Sequence, residues 1–377
     1  MKVLMINLPY AGHVVPTIGL VQQLIQKGCQ VTYLMAHDWK EKIQESGADF
    51  VGYSNHRQLA EQIKNAWSAA DKIASDYDLV LYEQFFFLGK HLADKHHKPA
   101  VRIFTAPATN KKLMNQFIEK GPLSIFRYQW INRAFTKDIV KDIPMKTDNW
   151  LDEIIENPPQ LNLVYTLKEF QPYVEEFDEK LYRFVGPSVY QREKQEFDFI
   201  RKDRPVIYIS LGTTIKGATS FFKMCIEAFE HEQVDVIIST GNKFNLNRLK
   251  HVPENIHLYP HVPQLQVLKM SDVFVSHGGM NSISEAFVYS VPLVVIPFSS
   301  DQPVNAECVE KMGAGKQLAL SALNSSILKE TVFSVMNDKE TKKSLKKIRN
   351  MICESARNEG AAEMIIELIG NRKGEEI

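Results

Sequence analysis

Apolar and polar positions along this chain follow two alternating spacings. Short, nearly unbroken apolar runs recur at 3–8, 30–35, 79–82 and 100–104, as buried strands do. Between them, at 17–27, from about 39 onward and at 88–95, apolar residues return at helical spacing. Strand and helix in alternation predict βαβ units wound into a parallel sheet. The stretch 107–160 departs from this rhythm: it is aromatic and amphipathic, with Phe117, Phe126, Tyr128, Trp130 and Trp150, and suits the cover of a ligand cleft.

A strand-like stretch ends at Gly186 and Pro187, after which the chain is charged and lacks a sustained apolar stripe until a new strand at 206–211. The alternation then resumes at 234–239, 257–258, 273–276 and 293–296. From about 358, Ala361, Ile365, Ile366 and Ile369 form a helical stripe that should dock and then fray into a charged end. The expected fold is α/β, with two doubly wound, Rossmann-like parallel-sheet lobes. The expected divisions are a first lobe at 1–190, a linker at 191–204, a second lobe at 205–357, and a helix at 358–377 packing back on the first lobe.

Composition narrows the function. With 377 residues, 44% hydrophobic and 24% charged, the chain has the profile of a soluble two-domain enzyme. Lysine plus arginine equals aspartate plus glutamate at 45 each, so no global field favours nucleic acid or an anionic membrane. Lys2 precedes an apolar run that Asn7 and Pro9 end too soon for a signal peptide, and nothing approaches the roughly 20 apolar residues of a membrane span. Cys29, Cys225, Cys308 and Cys353 lie far apart, as in a reduced cytoplasmic protein. No His/Cys spacing fits zinc, His251 and His257 read as surface residues, and no metal is expected.

Two segments carry chemistry. After the strand at 273–276, His277-Gly278-Gly279 reads as a tight turn and Asn281-Ser282 as a helix start, where backbone N–H groups and the positive dipole end favour an anion. The glycines admit a diphosphate, and Glu285, one turn on, reaches a ribose diol. The plainer alternative is that Asn281 or Ser282 only caps a helix. Near the N-terminus, the strand at 3–8 runs into a turn carrying His13, at the sheet edge where open α/β folds place ligands. A lone histidine there is either a base or a structural residue.

In order and spacing, residues 261–305 resemble the nucleotide-binding signature of the UDP-glycosyltransferase superfamily, including plant secondary-metabolite enzymes and bacterial macrolide glycosyltransferases. The resemblance implies a GT-B fold, in which two facing lobes with a cleft between them bind the acceptor mainly in the first (1–190) and the UDP-sugar in the second (205–357). It also implies that His277, Asn281 and Ser282 hold the diphosphate beside Gly278, Gly279 and Met280, that Glu285 holds the ribose hydroxyls, and that Asp301 and Gln302 hold the sugar. Pro263 and Gln264 match the loop that receives uracil through the backbone at Val262. Plant members have tryptophan where this chain has His261 and Met280, although an imidazole can still stack on uracil. His13 matches the Gly-His element whose histidine deprotonates the acceptor. Glu83 stands where the family has an aspartate paired with that histidine. Thr213, in the turn 210–214, matches a loop lining the phosphates.

Other chemistries are argued against. The first turn has only Gly12, against NAD; Gly315-Lys316 lacks the frame of an ATPase loop; Asp76 and Asp78 precede their strand, against a metal-dependent transferase; and no Gly-x-Ser-x-Gly accompanies the His277 turn, against an esterase. The expected activity is inverting, metal-independent transfer of a sugar from a UDP-sugar, with Gln302 favouring glucose, to a hydroxyl of a small apolar acceptor such as a macrolide, polyketide or flavonoid. No cofactor beyond this co-substrate is expected, and the chain is expected to be a monomer or homodimer. The acceptor pocket is assigned to 106–150. Two other readings stand beside this one: another enzyme of the same fold (a sugar-nucleotide epimerase or a cell-wall amino-sugar transferase), and a non-catalytic protein binding a nucleotide or hydrophobic ligand.

Overall fold

The computed structural model describes residues 1–120, 129–140, 143, 145, 147, 149–189, 197–212, 219–241, 252–298 and 301–375. The chain forms two compact units, Met1–Tyr190 with Ser355–Ile377, and Gln191–Glu354. Among the described residues each unit holds one parallel sheet. The first contains β1 (Lys2–Ile6), β2 (Gln30–Ala36), β3 (Asp49–Tyr53), β4 (Leu79–Glu83), β5 (Ala100–Phe104), β6 (Leu161–Val164) and β7 (Tyr182–Phe184), in the order β3-β2-β1-β4-β5-β6-β7. The second contains β8 (Val206–Ser210), β9 (Asp235–Ser239), β10 (Ile256–Tyr259), β11 (Val273–Ser276), β12 (Leu293–Val295) and β13 (Gly315–Gln317), in the order β10-β9-β8-β11-β12-β13.

Strand order reverses between β1 and β4 in one sheet and between β8 and β11 in the other. At such a reversal the connections leave in opposite directions and open a crevice at the strands' carboxyl ends, where doubly wound folds bind ligands. These two reversals position the candidate site residues.

The first sheet is apolar on both faces, as a parallel sheet covered by helices must be. Alternation along β1 sends Val3 and Met5 to one face and Leu4 and Ile6 to the other. On the Val3 face lie Val14, Leu20 and Leu24 of helix Ala11–Gln26, together with Ala361, Ile365 and Ile369 of helix Arg357–Glu375. On the Leu4 face lie Ile63 and Ala66 of helix Leu59–Asp71, and Trp150. Trp150 packs between Phe87 and Phe135 at centroid distances of 5.7 and 5.4 Å and belongs to this core. Trp130, from the same aromatic stretch, is 72% exposed.

The structure departs from the sequence expectation in two ways. The first helix starts at Ala11, not near residue 17, because the Tyr10 carbonyl accepts from His13 and Val14 N–H at 2.8 and 3.0 Å and begins the helix ahead of Pro16. Pro16, the sixth helical residue, lies past the first turn, where its missing N–H costs the helix one i→i−4 hydrogen bond without ending it. Strands β3, β6 and β13 were also not anticipated; β3 carries Asp49 and Gly52, and β13 is a three-residue, partly exposed edge strand. The patterns of β3 and β13 are too weak to stand out from loop, and β6 is only four residues long with Asn162 inside it.

Candidate active site

His13 is the third residue of helix Ala11–Gln26, which follows β1 after the short connection 7–10. Glu83 is the last residue of β4, the strand paired with β1 at the reversal. Their side chains meet at 2.7 Å, His13 Nδ1 to Glu83 Oε1. The imidazole side chain is 21% exposed and the carboxylate 0%, so one member of the pair reaches solvent and the other lies in the protein.

An isolated buried carboxylate is costly, and this one is surrounded by donors. Phe85 N–H donates to its Oε2 at 2.9 Å, and Thr105 Oγ1 lies 3.4 Å from Oε1 and 3.0 Å from His13 Nδ1. The Phe85 ring packs against the imidazole at 4.3 Å. Behind the turn, Asn7 Nδ2 donates to the His13 carbonyl at 3.1 Å and to the Tyr33 hydroxyl at 3.1 Å, while Tyr33 and Thr17 hydroxyls meet at 2.8 Å. Burial pushes the Tyr33 phenol far above its usual range, so this supporting network stays neutral. Thr105 and Asn7 both follow strand ends, which is the one sequence signal that could have singled them out.

In the second unit, His277-Gly278-Gly279 links β11 to helix Met280–Tyr289. Gly278 sits at φ +88°, and a Cβ there would lie 2.7 Å from Val295 Cγ1, so both conformation and space require glycine. The helix begins at Met280 with Gly279 as its N-cap. Ile283 N–H makes an early helical bond to the Gly279 carbonyl, and the donors ahead of it, on Met280, Asn281 and Ser282, point along the axis out of the helix start. The macrodipole adds positive potential at the same place.

His277 is 8% exposed, and burial drops its pKa to about 4. Its Nδ1 has no hydrogen-bond partner among the described residues. The ring lies so close to Gly212 and Gly279 that a Cβ at either would fall 2.6 Å from it. At neutral pH this histidine is therefore an uncharged imidazole; it can offer an anion an N–H, but not a positive charge.

Glu285 is buried, and its Oε2 accepts from Gln264 Nε2 at 2.6 Å. The same Nε2 lies 3.4 Å from Ser282 Oγ, so the Gln264 amide reaches both side chains. Tyr208 donates its hydroxyl to Gln264 Oε1 at 3.0 Å. Val262 is buried, while His261, in the loop between β10 and helix Gln264–Met270, is exposed. Asp301 is the N-cap of helix Gln302–Lys311, and buried Asn305 donates from Nδ2 to Asp301 Oδ2 at 2.8 Å and to the Gly278 carbonyl at 2.9 Å. One amide thus ties the glycine turn to Asp301. Gln302 is buried and accepts Phe298 N–H on Oε1 at 2.8 Å. Thr213 lies outside the described residues. Among the described residues no three His, Cys, Asp or Glu side chains group in a way that could hold a metal ion, and no helix is long and apolar enough to cross a membrane.

Two doubly wound sheets, with a histidine–carboxylate pair at one reversal and a glycine turn feeding a helix at the other, are the architecture of a GT-B glycosyltransferase. A family model described as UDP-glucoronosyl and UDP-glucosyl transferase matches residues 190–353. The uncharacterized UDP-glucosyltransferase YojK of Bacillus subtilis (strain 168) is 33% identical, over 98% of this chain and 97% of its own. The oleandomycin glycosyltransferase of Streptomyces antibioticus is 25% identical over 96% of this chain and 89% of its own. The solved glycotransferase of kitacinnamycin superposes with a TM-score of 0.83 at 25% identity, covering 97% of each chain. This chain belongs to the UDP-glycosyltransferase family, and it is a glycosyltransferase.

Proposed function

We propose that this enzyme transfers glucose from UDP-glucose to a hydroxyl of a small apolar natural product, such as a macrolide, polyketide or flavonoid, in one inverting displacement that needs no metal. The observation that carries the proposal is the 2.7 Å contact between partly exposed His13 and buried Glu83 at the β1/β4 reversal. With Nδ1–H directed at the carboxylate, the neutral ring carries its lone pair on Nε2, where it can accept the acceptor's hydroxyl proton. The acceptor oxygen bonds to the anomeric carbon as the bond from that carbon to the β-phosphate oxygen breaks. UDP departs with the electron pair, and the configuration inverts.

Charge developing on the diphosphate is met by the N–H groups at the start of helix Met280–Tyr289 and by the neutral His277 N–H. Glu285 accepts from the ribose hydroxyls, exposed His261 stacks on uracil beside the Val262 backbone, and Asp301 and Gln302 select the sugar. Because Gln302 Oε1 is engaged by Phe298 N–H, a sugar hydroxyl would meet its amide NH₂ group.

The test is incubation with UDP-glucose and a panel of macrolide, polyketide and flavonoid alcohols in excess EDTA, with products followed by mass spectrometry and anomeric coupling by NMR. A β-glucoside formed in chelator is expected. An α-linked product would overturn the single displacement. Transfer that stops in EDTA and returns with magnesium would overturn metal independence, and UDP binding without transfer to any acceptor would favour a binding protein.

A further inference from the structure

Tyr208 has no part in the chemistry described above, yet its hydroxyl points at the nucleotide-binding residues. Alternation along β8 directs Ile207 and Ile209 into one apolar cluster and Tyr208 to the opposite face. There its ring stacks on Phe274 of β11 at 4.6 Å and 14°, and the residue is only 1% exposed. A tyrosine stacked this way has little rotational freedom, so the direction of its hydroxyl is set by the sheet.

That hydroxyl meets Gln264 Oε1 at 3.0 Å, and Gln264 Nε2 meets Glu285 Oε2 at 2.6 Å. The polarity of the chain follows from the groups themselves. A carboxylate only accepts, so the amide must turn its nitrogen to Glu285 and its oxygen to Tyr208, which then donates. Gln264 is partly exposed at the first turn of a short helix, while Tyr208 is anchored in the sheet. The sheet therefore holds the amide, and the amide holds one oxygen of Glu285 and so fixes the orientation of the carboxylate.

We propose that Tyr208 and Gln264 are positioning residues that present the Glu285 carboxylate to the cis-diol of the nucleotide's ribose, so that preference for a ribonucleotide diphosphate depends on this chain as well as on Glu285. The inference rests on the reading that Glu285 receives the ribose. In the family resemblance Gln264 belongs to the uracil loop; here its side chain is committed to Tyr208 and Glu285.

The experiment compares UDP with 2′,3′-dideoxy-UDP by calorimetry for the intact enzyme and for Tyr208→Phe, Gln264→Leu and Glu285→Ala. The intact enzyme should prefer UDP, and Glu285→Ala should lose most of that preference. Tyr208→Phe should narrow the preference by roughly three- to tenfold, the effect of one lost hydrogen bond, with dideoxy-UDP affinity almost unchanged. Gln264→Leu should narrow it similarly, and the double variant should narrow it no further, as expected for two links of one chain. If Tyr208→Phe fails to fold, Gln264→Leu at its more exposed position decides the matter alone. Equal weakening of both ligands, or an unchanged preference, in Tyr208→Phe and Gln264→Leu while Glu285→Ala loses it would overturn the relay alone. Wild-type preference in Glu285→Ala would overturn the ribose assignment, and the relay with it.

Discussion

His13 Nδ1 lies 2.7 Å from Glu83 Oε1, a separation that a glutamate achieves where the family resemblance implies an aspartate. The longer side chain fits because it is held at both oxygens. Phe85 N–H takes Oε2, which leaves Oε1 for the imidazole and the Thr105 hydroxyl. A carboxylate fixed in this way orients the ring, and in the proposed mechanism it would stabilise the imidazolium formed when the acceptor is deprotonated.

Replacing His13 with alanine should lower kcat by two orders of magnitude or more, the usual contribution of general-base catalysis. UDP affinity should barely change, because the residues proposed to hold UDP sit in the other compact unit. Steady-state kinetics alongside UDP calorimetry make the comparison, and near-normal turnover would remove His13 from the mechanism.

Thr105→Val keeps the shape of the side chain and deletes the hydroxyl beside His13 Nδ1 and Glu83 Oε1. Loss of one such hydrogen bond should lower kcat by roughly two- to tenfold, with Thr105→Ser near wild type. Equal losses in the valine and serine variants would show that packing, and not the hydroxyl, is what matters.

The overall architecture was legible because parallel strands are buried on both faces and show as apolar runs; 273–276 and 100–104 match β11 and β5 residue for residue. Edge strands such as β13 do not carry that signal. At the site, the Gly-His and His-Gly-Gly elements stood out because each follows a strand end with its own chemistry, although Gly12 and His13 prove to lie in the first turn of a helix and not in a loop. Thr105 was not, since it lies 92 residues from His13 and only strand register joins them. Tyr208 read as an ordinary strand residue, and its hydroxyl acquires meaning only through a glutamine 56 positions away.

Buried His277 makes stability sensitive to acid. Its folded pKa is depressed to about 4 from a reference of 6.5, so the unfolded chain takes up the proton first as pH falls. Its contribution is intact above pH 6.5 and is lost progressively as pH falls toward 4, by up to about 3 kcal/mol. Urea unfolding of the intact protein and His277→Asn at several pH values should show the difference between them shrinking over this window. A constant difference would mean that the imidazole is not held neutral.

Glu83→Gln and Glu83→Asp separate charge from geometry at the dyad. The glutamine has a single acceptor oxygen for two positions, the Phe85 N–H and the His13 Nδ1–H, so its NH₂ must face one of these donors. It also carries no charge to stabilise the imidazolium, and turnover should fall by roughly one to three orders of magnitude. The aspartate keeps the charge but falls short by about one C–C bond, ~1.5 Å, and should be impaired less than the glutamine. The pH profile gives an independent readout. A buried negative charge beside Nδ1 favours the protonated ring, and activity requires the neutral ring, so deleting the charge should move the rising limb of kcat/KM to lower pH. The aspartate variant should keep that limb closer to its original position. Turnover ranked with glutamine above aspartate, and an unmoved limb in Glu83→Gln, would show that the carboxylate sets the ring's geometry without contributing its charge.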